Sequence, residues 1–460
     1  MLESYNDLSD QQRDNLNHFL DRADSNRLNM LHDLYGVNRG RNHTQFRENI
    51  IHSLMIEQIP FSNFLEWLGH VELEGNNTLF VYEAEGNELS IEDMITEDKG
   101  QSDEPSSVSM IVEDDEPLRV GITVEDDTLS DKPSNVNIIE SMYEEYSEKV
   151  TPLYDLNSND LNEIKLVNVK KIEEKSQLLF TIAAPSQVQF KNLNGQIDLK
   201  KHIYLAYIII DFNINSVILF MHPTTGLTSI HGEGKKREID DVTWVILHFF
   251  KEHIIDFTLK EPEWIVNALA KITEEYFYHN NPIIEEKKGK FEQEIIPSLL
   301  KMLQEFDSSL IREDVKLRLK RGLENIYENE LIVVHKRVEK TLSFNIFLQQ
   351  SDKGSTQFKA NTRGKAISHA EAGDIIRLMW ENGDILNVGL IHIESDKEYP
   401  YIIKKLDRHY SLKKYTTSIT EKEVVDNVLR KLNKYKEEIE CSDTFSEIGE
   451  IERGVDDFKA

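Results

Sequence analysis

The sequence has a single cysteine and no long uninterrupted apolar run. Cys441 alone can form neither an intrachain disulfide nor a cysteine-rich zinc site, which fits a reducing compartment. The most apolar stretch, residues 203–221, is interrupted by Asp211, Asn213 and Asn215, and its β-branched content predicts two adjacent strands rather than a membrane span. The polar, acidic N-terminus lacks the basic region and apolar core of a secretory signal. We therefore expect a cytoplasmic protein without a membrane partner.

Basic charge is scarce relative to acidic charge, with 53 Lys and Arg against 83 Asp and Glu and a net charge of -30. This acidic surplus argues against a protein that binds nucleic acid or an anionic membrane over its whole surface. Residues 83–149 hold 21 acidic and four basic residues, a net charge of -17, and have little apolar content. Such a segment buries too little apolar surface to offset chain entropy. We predict a largely disordered acidic linker there, with a candidate strand at residues 118–124.

The apolar share of 39% is sufficient for real cores, and the length of 460 residues corresponds to about two to four domains. Hydrophobic periods of 3.6 and of two residues divide the chain into helical and β regions. Short turns between successive strands favour antiparallel pairing. The predicted fold class is α+β, with a helical module closing in a β hairpin (1–82), the acidic linker (83–149), an antiparallel β region (150–237), a helical bundle (238–340), a mixed α/β domain (341–440) and an acidic tail (441–460).

Some carboxylates come close to nuclease patterns without completing one. Restriction-type nucleases use an aspartate followed by Glu-x-Lys on the next strand, so that two carboxylates hold Mg²⁺ while the lysine polarises a water. Asp384 precedes a strand that ends at Glu394, but the following Lys397 is one residue out of phase. Asp211 ends an apolar strand, as in ribonuclease-H-like nucleases, although an aspartate that opens a turn is the ordinary explanation. A metal-dependent nuclease with dispersed carboxylates is therefore the alternative function.

Two loops carry residue types that bind phosphate or metal. The run from Gly232 to Arg237, Gly-Glu-Gly-Lys-Lys-Arg, precedes a helix whose free amides favour an anion, yet it lacks the P-loop spacing. His222 and His231 are nine residues apart, whereas zinc-binding helices separate histidines by four. A flexible turn and two ordinary loop histidines explain these residues better. We predict no catalytic residue, no cofactor and no metal.

Two segments are basic within this acidic chain. The first lies in the N-terminal module, where the helix–turn–helix run at residues 26–54 loosely resembles helix-extended-helix DNA-binding modules of the SAP type, without a sharp motif that would assign a family. The second, residues 397–415, has six basic and two acidic residues interleaved with tyrosines. Single-strand binding requires basic residues for phosphates and aromatic residues for bases. A solvated strand pair with edge lysines that discourage pairing is the alternative. The predicted nucleic-acid-binding residues are Lys404, Lys405, Arg408, Lys413, Lys414, Tyr410, Arg39 and Arg41.

We expect a non-enzymatic adaptor for three reasons. The chain has several modules, its acidic and basic residues lie in separate segments, and its long helices are suited to packing against a partner. We predict an interaction subunit of a larger intracellular complex, with DNA or RNA as a candidate target, as in a defence or genome-maintenance assembly. Protein partners are expected, and nucleic acid is a second candidate partner. Besides the nuclease, an acidic nucleic-acid mimic that occupies a basic partner is a further alternative.

Overall fold

The computed structural model describes residues 4–21, 23, 25–75, 77–85, 89, 135–191, 196–224, 226–234, 240–277, 282–310, 312–335, 344–353, 356–364, 367, 384–395, 397–416 and 421–456. The helices are α1 (Asp10–Leu20), α2 (Ser25–Tyr35), α3 (His43–Met55), α4 (Phe61–Gly69), α5 (Asn135–Ser147), α6 (Asp240–His253), α7 (Trp264–Phe277), α8 (Pro282–Lys290), α9 (Ile296–Phe306), α10 (Glu313–His335) and α11 (Lys422–Asp456). The strands are β1 (Thr78–Ala84), β2 (Lys165–Ile172), β3 (Gln177–Lys191), β4 (Ile197–Asp211), β5 (Ser216–Met221), β6 (Leu227–Ile230), β7 (Glu233–Gly234), β8 (Leu259–Lys260), β9 (Asn345–Lys353), β10 (Thr356–Asn361), β11 (Asp384–Glu394), β12 (Lys397–Lys405) and β13 (Tyr410–Lys414).

The 13 strands of the described residues form one sheet, and 11 of them follow the order β10-β9-β11-β12-β13-β1-β5-β4-β3-β6-β7. In addition, β2 pairs with β3 and β8 pairs with β1. The strand β1 lies at the centre, antiparallel to β13 on one side and to β5 on the other. The predicted α+β class with antiparallel pairing is therefore confirmed. The sheet is continuous across the boundary between the antiparallel β region and the C-terminal mixed domain, because β1 of the N-terminal module joins them.

Helices cover the central strands on both faces. One buried cluster contains side chains of α1 to α4, α7 and α11 packed on residues such as Val81, Ile209 and Phe220. The cluster on the opposite face contains side chains of α5 and α6 packed on Phe80 and Ile208. Successive strand residues point to opposite faces, so a strand covered on both faces is apolar throughout. This explains why residues 203–210 of β4 and 217–221 of β5 are apolar at every position.

The N-terminal module follows its local sequence signals. Ser9 caps α1 in a reciprocal arrangement with Gln12, and Asn42 caps α3 by accepting a hydrogen bond from the Gln45 amide at 2.9 Å. The hairpin predicted to close the N-terminal module is not formed among the described residues: residues 78–84 make the single strand β1, which pairs with β5, β13 and β8. Those partners lie far away in the sequence, where no local turn signal could indicate them.

Most of the predicted acidic linker lies outside the described residues, as does the candidate strand at residues 118–124. The last part of the linker span forms α5, whose buried residues are Ile138, Ile139, Met142 and Tyr146. Their spacing places them on one helical face. Ordering this segment costs chain entropy, and its acidic composition suggested that too little apolar surface would be buried to compensate. Burial of this one apolar face against the sheet supplies that compensation.

A helical module is inserted between α7 and β9. It consists of α8, a π-helical turn at Phe291–Ile295, α9 and α10, which pack chiefly against one another. The rings of Phe291 and Tyr327 stack at 4.3 Å between centroids. Pro297 lies in the first turn of α9, directly after the π turn. The C-terminal helix α11 continues to Asp456, into the predicted acidic tail. None of the helices in the described ranges is long and apolar enough to span a bilayer.

Candidate functional site

The second basic segment forms β12, a turn and β13, and strand alternation divides its residues between the two faces of the sheet. The register places Lys405, Tyr410 and Lys414 on the face covered by α7 and α11. Lys404 and Lys413 point to the opposite face. The predicted set of contiguous nucleic-acid-binding residues is therefore split by the sheet.

Two of the predicted residues belong to the core. The Tyr410 ring is buried in an edge-on contact with Trp264, 5.6 Å between centroids, and burial raises the pKa of its hydroxyl well above the ordinary value. Lys414 is only 4% exposed, and burial lowers its pKa to about 8. In this arrangement neither side chain can meet a base or a phosphate. The accessible positive charge of this segment comes from Lys397, Arg408 and Lys413, which are exposed, and from the half-buried Lys404 and Lys405.

Arg39 and Arg41 lie in the turn between α2 and α3, and both are exposed. The Arg39 guanidinium is 3.4 Å from the carboxylate of Asp33, an exposed pair that contributes little to stability. Both arginines can therefore reorient toward an external phosphate.

The nuclease candidates Asp384 and Glu394 begin and end the same strand, β11. At a rise of about 3.3 Å per residue, their backbones lie about 30 Å apart. Glu394 instead accepts hydrogen bonds from Asn427 at 2.8 Å and from His392 at 3.0 Å, and the Asn427 bond contributes most to lowering the pKa of Glu394. One metal ion therefore cannot bridge Asp384 and Glu394.

Asp211 joins a different network, which local sequence signals did not predict. Gln177 donates to Asp211 at 2.5 Å, and its carbonyl oxygen accepts from Lys422 at 2.6 Å. Lys422 and Lys175 each lie 2.8 Å from Asp426. Burial raises the pKa of Asp211. The two lysines neutralise Asp426, and the network ties the start of α11 to the end of the β3–β4 pair.

The histidines of the two loops have separate roles. His222 Nδ1 lies 3.2 Å from Asn77 Oδ1 beside the end of β5. His231 and Gly232, with φ of 47° and 85°, form the tight two-residue turn between β6 and β7. Residues 235–237 of the glycine-containing loop lie outside the described residues. Within the described part of the chain, no group of three or more His, Cys, Asp or Glu side chains has the arrangement of a metal site.

A groove of about 540 Å³ runs along the outer edge of β2. Residues 167–171 line it, and they are five consecutive strand positions whose side chains alternate between the two faces of the sheet. Because residues of both faces line it, the groove lies along the edge of the strand. Among the described strands, β2 pairs with β3 alone. The segment at residues 150–153 closes one end, where the Thr151 amide donates to the Leu166 carbonyl at 2.8 Å.

Two helices form the walls of this β2 groove. On the α4 side, Lys170 Nζ lies 2.5 Å from Glu66, and Asn168 contacts the part-buried His70, whose pKa is lowered to about 4 by desolvation. On the α5 side, Lys171 Nζ lies 2.6 Å from Glu140 and 4.6 Å from the centroid of the Tyr143 ring. The sequence did not indicate this groove, because its walls come from segments on either side of residues 86–134. The remaining walls are largely apolar, formed by Leu65, Val150, Pro152, Leu153, Val167 and Val169.

An apolar stripe is exposed on the helical module. Ile295, Met302 and Phe306 are 46%, 65% and 86% exposed. Their separations of seven and four residues place them on one helical face, which we call the α9 stripe. Sequence periodicity located this helix but could not tell which apolar face would remain uncovered.

A comparison with protein-family models finds no match for this chain, and a comparison with curated proteins finds none either.

Proposed function

We propose that this chain is a non-enzymatic adaptor subunit that holds a protein partner within a larger intracellular assembly. The α9 stripe is the observation that carries the proposal. Monomeric proteins rarely expose contiguous large apolar side chains, and such patches are typical of interaction sites. Phe306 and Met302 are the most exposed large apolar side chains of the stripe.

The geometry of the helical module supports a partner that packs along a helix. The described contacts of α8, α9 and α10 are chiefly with one another, and the sheet does not cover the α9 stripe. A partner with its own apolar helix could bury the stripe by ridge-into-groove packing. Full burial of Met302 or Phe306 would contribute about 1.5–3 kcal/mol each. Such a contribution is large enough to make these two residues dominate the affinity.

Affinity purification of the tagged full chain from the cells that make it tests this proposal. Proteins and nucleic acids that co-purify are identified for the wild type, for Phe306→Glu and for Gln304→Glu. Both substitutions introduce a glutamate at an exposed position of α9, but only Phe306 belongs to the stripe. We expect a stoichiometric protein partner with the wild type and with Gln304→Glu, and its loss with Phe306→Glu.

Two outcomes would contradict the proposal. Absence of any stoichiometric partner of the wild type would remove the adaptor function. Retention of the partner by Phe306→Glu would remove the α9 stripe as its binding surface. Equal thermal stability of the three proteins would exclude unfolding as the reason for a lost partner.

Nucleic acid remains a second candidate partner of this adaptor. Lys404, Lys413 and Arg408 support it, because they place accessible positive charge beside one another on β12, β13 and their turn. Phosphate contacts of this kind supply sequence-independent affinity. The acidic remainder of the chain repels phosphate at long range, so affinity for the whole protein should be modest and salt-sensitive.

The nuclease alternative has less support, since Asp384 and Glu394 lie at opposite ends of β11. Divalent-metal-stimulated cleavage of DNA or RNA by the purified chain, lost on Asp384→Ala or Glu394→Ala, would replace the adaptor proposal with an enzyme. The nucleic-acid-mimic alternative depends on the composition of residues 83–149, most of which lie outside the described ranges, and it stays a prediction.

A further inference from the structure

The outer edge of β2 carries backbone groups that a further strand could use. A strand edge presents unpaired N–H and C=O groups, which act as a template for another extended chain. The groove beside β2 contains the edge positions 167–171, with α4 on one side and α5 on the other. Its volume of about 540 Å³ gives room for side chains on both sides of an added backbone. Five residues of strand measure about 16 Å, the length of a short peptide.

We propose that the β2 groove binds an extended, acidic segment of a partner protein by β-strand addition. Main-chain hydrogen bonds to β2 would provide the affinity, and side chains alternating between the α4 and α5 walls would provide the selectivity. This inference goes beyond the adaptor proposal and is independent of the α9 stripe, which lies on a different part of the chain.

Charge complementarity selects an acidic segment. The strand β2 contains Lys165, Lys170 and Lys171 and no acidic residue, on a chain whose net charge is -30. The Lys170 ammonium lies on the α4 side and the Lys171 ammonium on the α5 side, as their pairs with Glu66 and Glu140 indicate. An acidic side chain of the added strand therefore meets a lysine whichever wall it faces.

The ion pairs of these lysines can exchange for pairs with a ligand. Glu66 and Glu140 are each about half-exposed and the Lys170 side chain is 45% exposed, so solvent screens these pairs and a ligand carboxylate can replace the glutamate; the Lys171 side chain, at 19%, is more enclosed. The same lysines would repel a basic strand and discourage indiscriminate edge pairing. Between the two lysines and their partners the groove lining is largely apolar, and the part-exposed Leu65, Val150 and Pro152 are available to apolar side chains of the ligand.

Binding of a synthetic peptide to the full chain tests the proposal. The probe is a capped six-residue peptide in which valine and glutamate alternate, labelled for fluorescence anisotropy. Two comparison peptides change one property each: one has lysine in place of glutamate, and one has every backbone amide N-methylated. We expect saturable binding of the first peptide, at least about tenfold weaker binding of the N-methylated peptide because its hydrogen-bond donors are lost, and no binding of the lysine peptide.

A matched pair of variants locates the site. Lys170→Gln/Lys171→Gln removes the two charges at the groove, and Lys191→Gln/Lys200→Gln removes two exposed charges on the β3–β4 pair. We expect about tenfold weaker peptide binding by the first variant and unchanged binding by the second. Hydrogen exchange should show that the outward amides at residues 167–171 exchange rapidly in the free protein and become protected with peptide.

Several results would overturn the proposal. Absence of binding by the valine–glutamate peptide, or equal binding of its N-methylated form, would exclude strand addition. Equal weakening by both lysine variants would indicate a general charge effect instead of this groove. Protection of the outward β2 amides before any peptide is added would mean that the chain itself or a second copy occupies the edge. None of these results bears on partner capture through Phe306, so the two proposals fail separately.

Discussion

Glu83 and Lys436 are 353 positions apart in the sequence, yet Lys436 Nζ lies 3.0 Å from Glu83 Oε2. Trp264 Nε1 donates to the other carboxylate oxygen at 2.6 Å, and Glu83 is only 2% exposed. The end of the central strand β1 is thereby tied to α7 and to the C-terminal helix α11. Both oxygens of this buried carboxylate have partners, as burial of a charge requires.

Replacement of Lys436 by methionine should destabilise the protein strongly, because it leaves the Glu83 charge buried beside an apolar side chain. Removal of one partner of a buried pair typically costs about 3–5 kcal/mol. Urea denaturation monitored by circular dichroism measures the loss. Lys434→Met, at an exposed position of the same helix, is the control and should change the free energy of unfolding by less than about 0.5 kcal/mol. Similar values for the two variants would contradict a structural role of the pair.

Two glycines should respond to alanine in opposite directions. A Cβ atom at Gly389, in β11, would lie 2.6 Å from Leu348 Cβ and 2.7 Å from the Phe347 ring, so Gly389→Ala should destabilise by about 1–3 kcal/mol. A Cβ atom at Gly322, in α10, meets no described atom within 4 Å, and Gly322→Ala should stabilise by about 0.5–1 kcal/mol. Thermal melts of both variants show whether each substitution lowers or raises the stability. A neutral Gly389→Ala would show that β9 and β11 are more loosely packed than described.

His409 should make stability depend on pH between about 4 and 6.5. Its ring lies 4.7 Å from the Tyr82 ring, and burial lowers its pKa from 6.5 to about 4. The folded protein therefore holds this proton less tightly than the unfolded chain does. The contribution of neutral His409 to the free energy of unfolding is therefore fully present above pH 6.5 and is lost as the pH falls toward 4.

Replacement of His409 by phenylalanine should keep the ring contacts and reduce the loss of stability on acidification by about 1–2 kcal/mol, a value that allows for the partial exposure of the ring. Urea midpoints at pH 7 and pH 4.5 measure this loss. His52→Gln, which replaces an exposed histidine of α3, is the control. If His409→Phe loses as much stability on acidification as the wild type does, other groups cause the acid sensitivity.

Binding of single-stranded oligonucleotides should depend on the exposed face of β12 and β13. If Lys404 and Lys413 contact phosphates, Lys404→Ala/Lys413→Ala in the full chain should reduce the slope of log affinity against log salt by about two. Lys191→Ala/Lys200→Ala removes the same charge from β3 and β4 and should leave the slope unchanged. Absence of binding at low salt would leave protein partners as the only candidates. Tyr410→Phe should not affect binding, since the ring is buried.

The sequence by itself determined the local structure of this protein. Capping residues such as Ser9 and Asn42, the apolar period of α7 and the β-branched runs of β4 are signals that neighbouring residues create, so they predict elements and the α+β class. The helical face of α5 was present in the sequence too, but the acidic composition around it predicted a linker. Composition averages over a segment, whereas burial depends on a few residues at the right spacing.

Only the tertiary structure decided how these elements meet. The register of β12 and β13 turned Tyr410 and Lys414 into the core and left Lys413 exposed, a distinction that a list of basic and aromatic residues does not contain. The insertion of β1 between β13 and β5, the networks at Asp426 and Glu83, and the β2 groove all join residues far apart in the chain. Such contacts arise because every element must bury its apolar face against another, and the choice of partner depends on the whole chain at once.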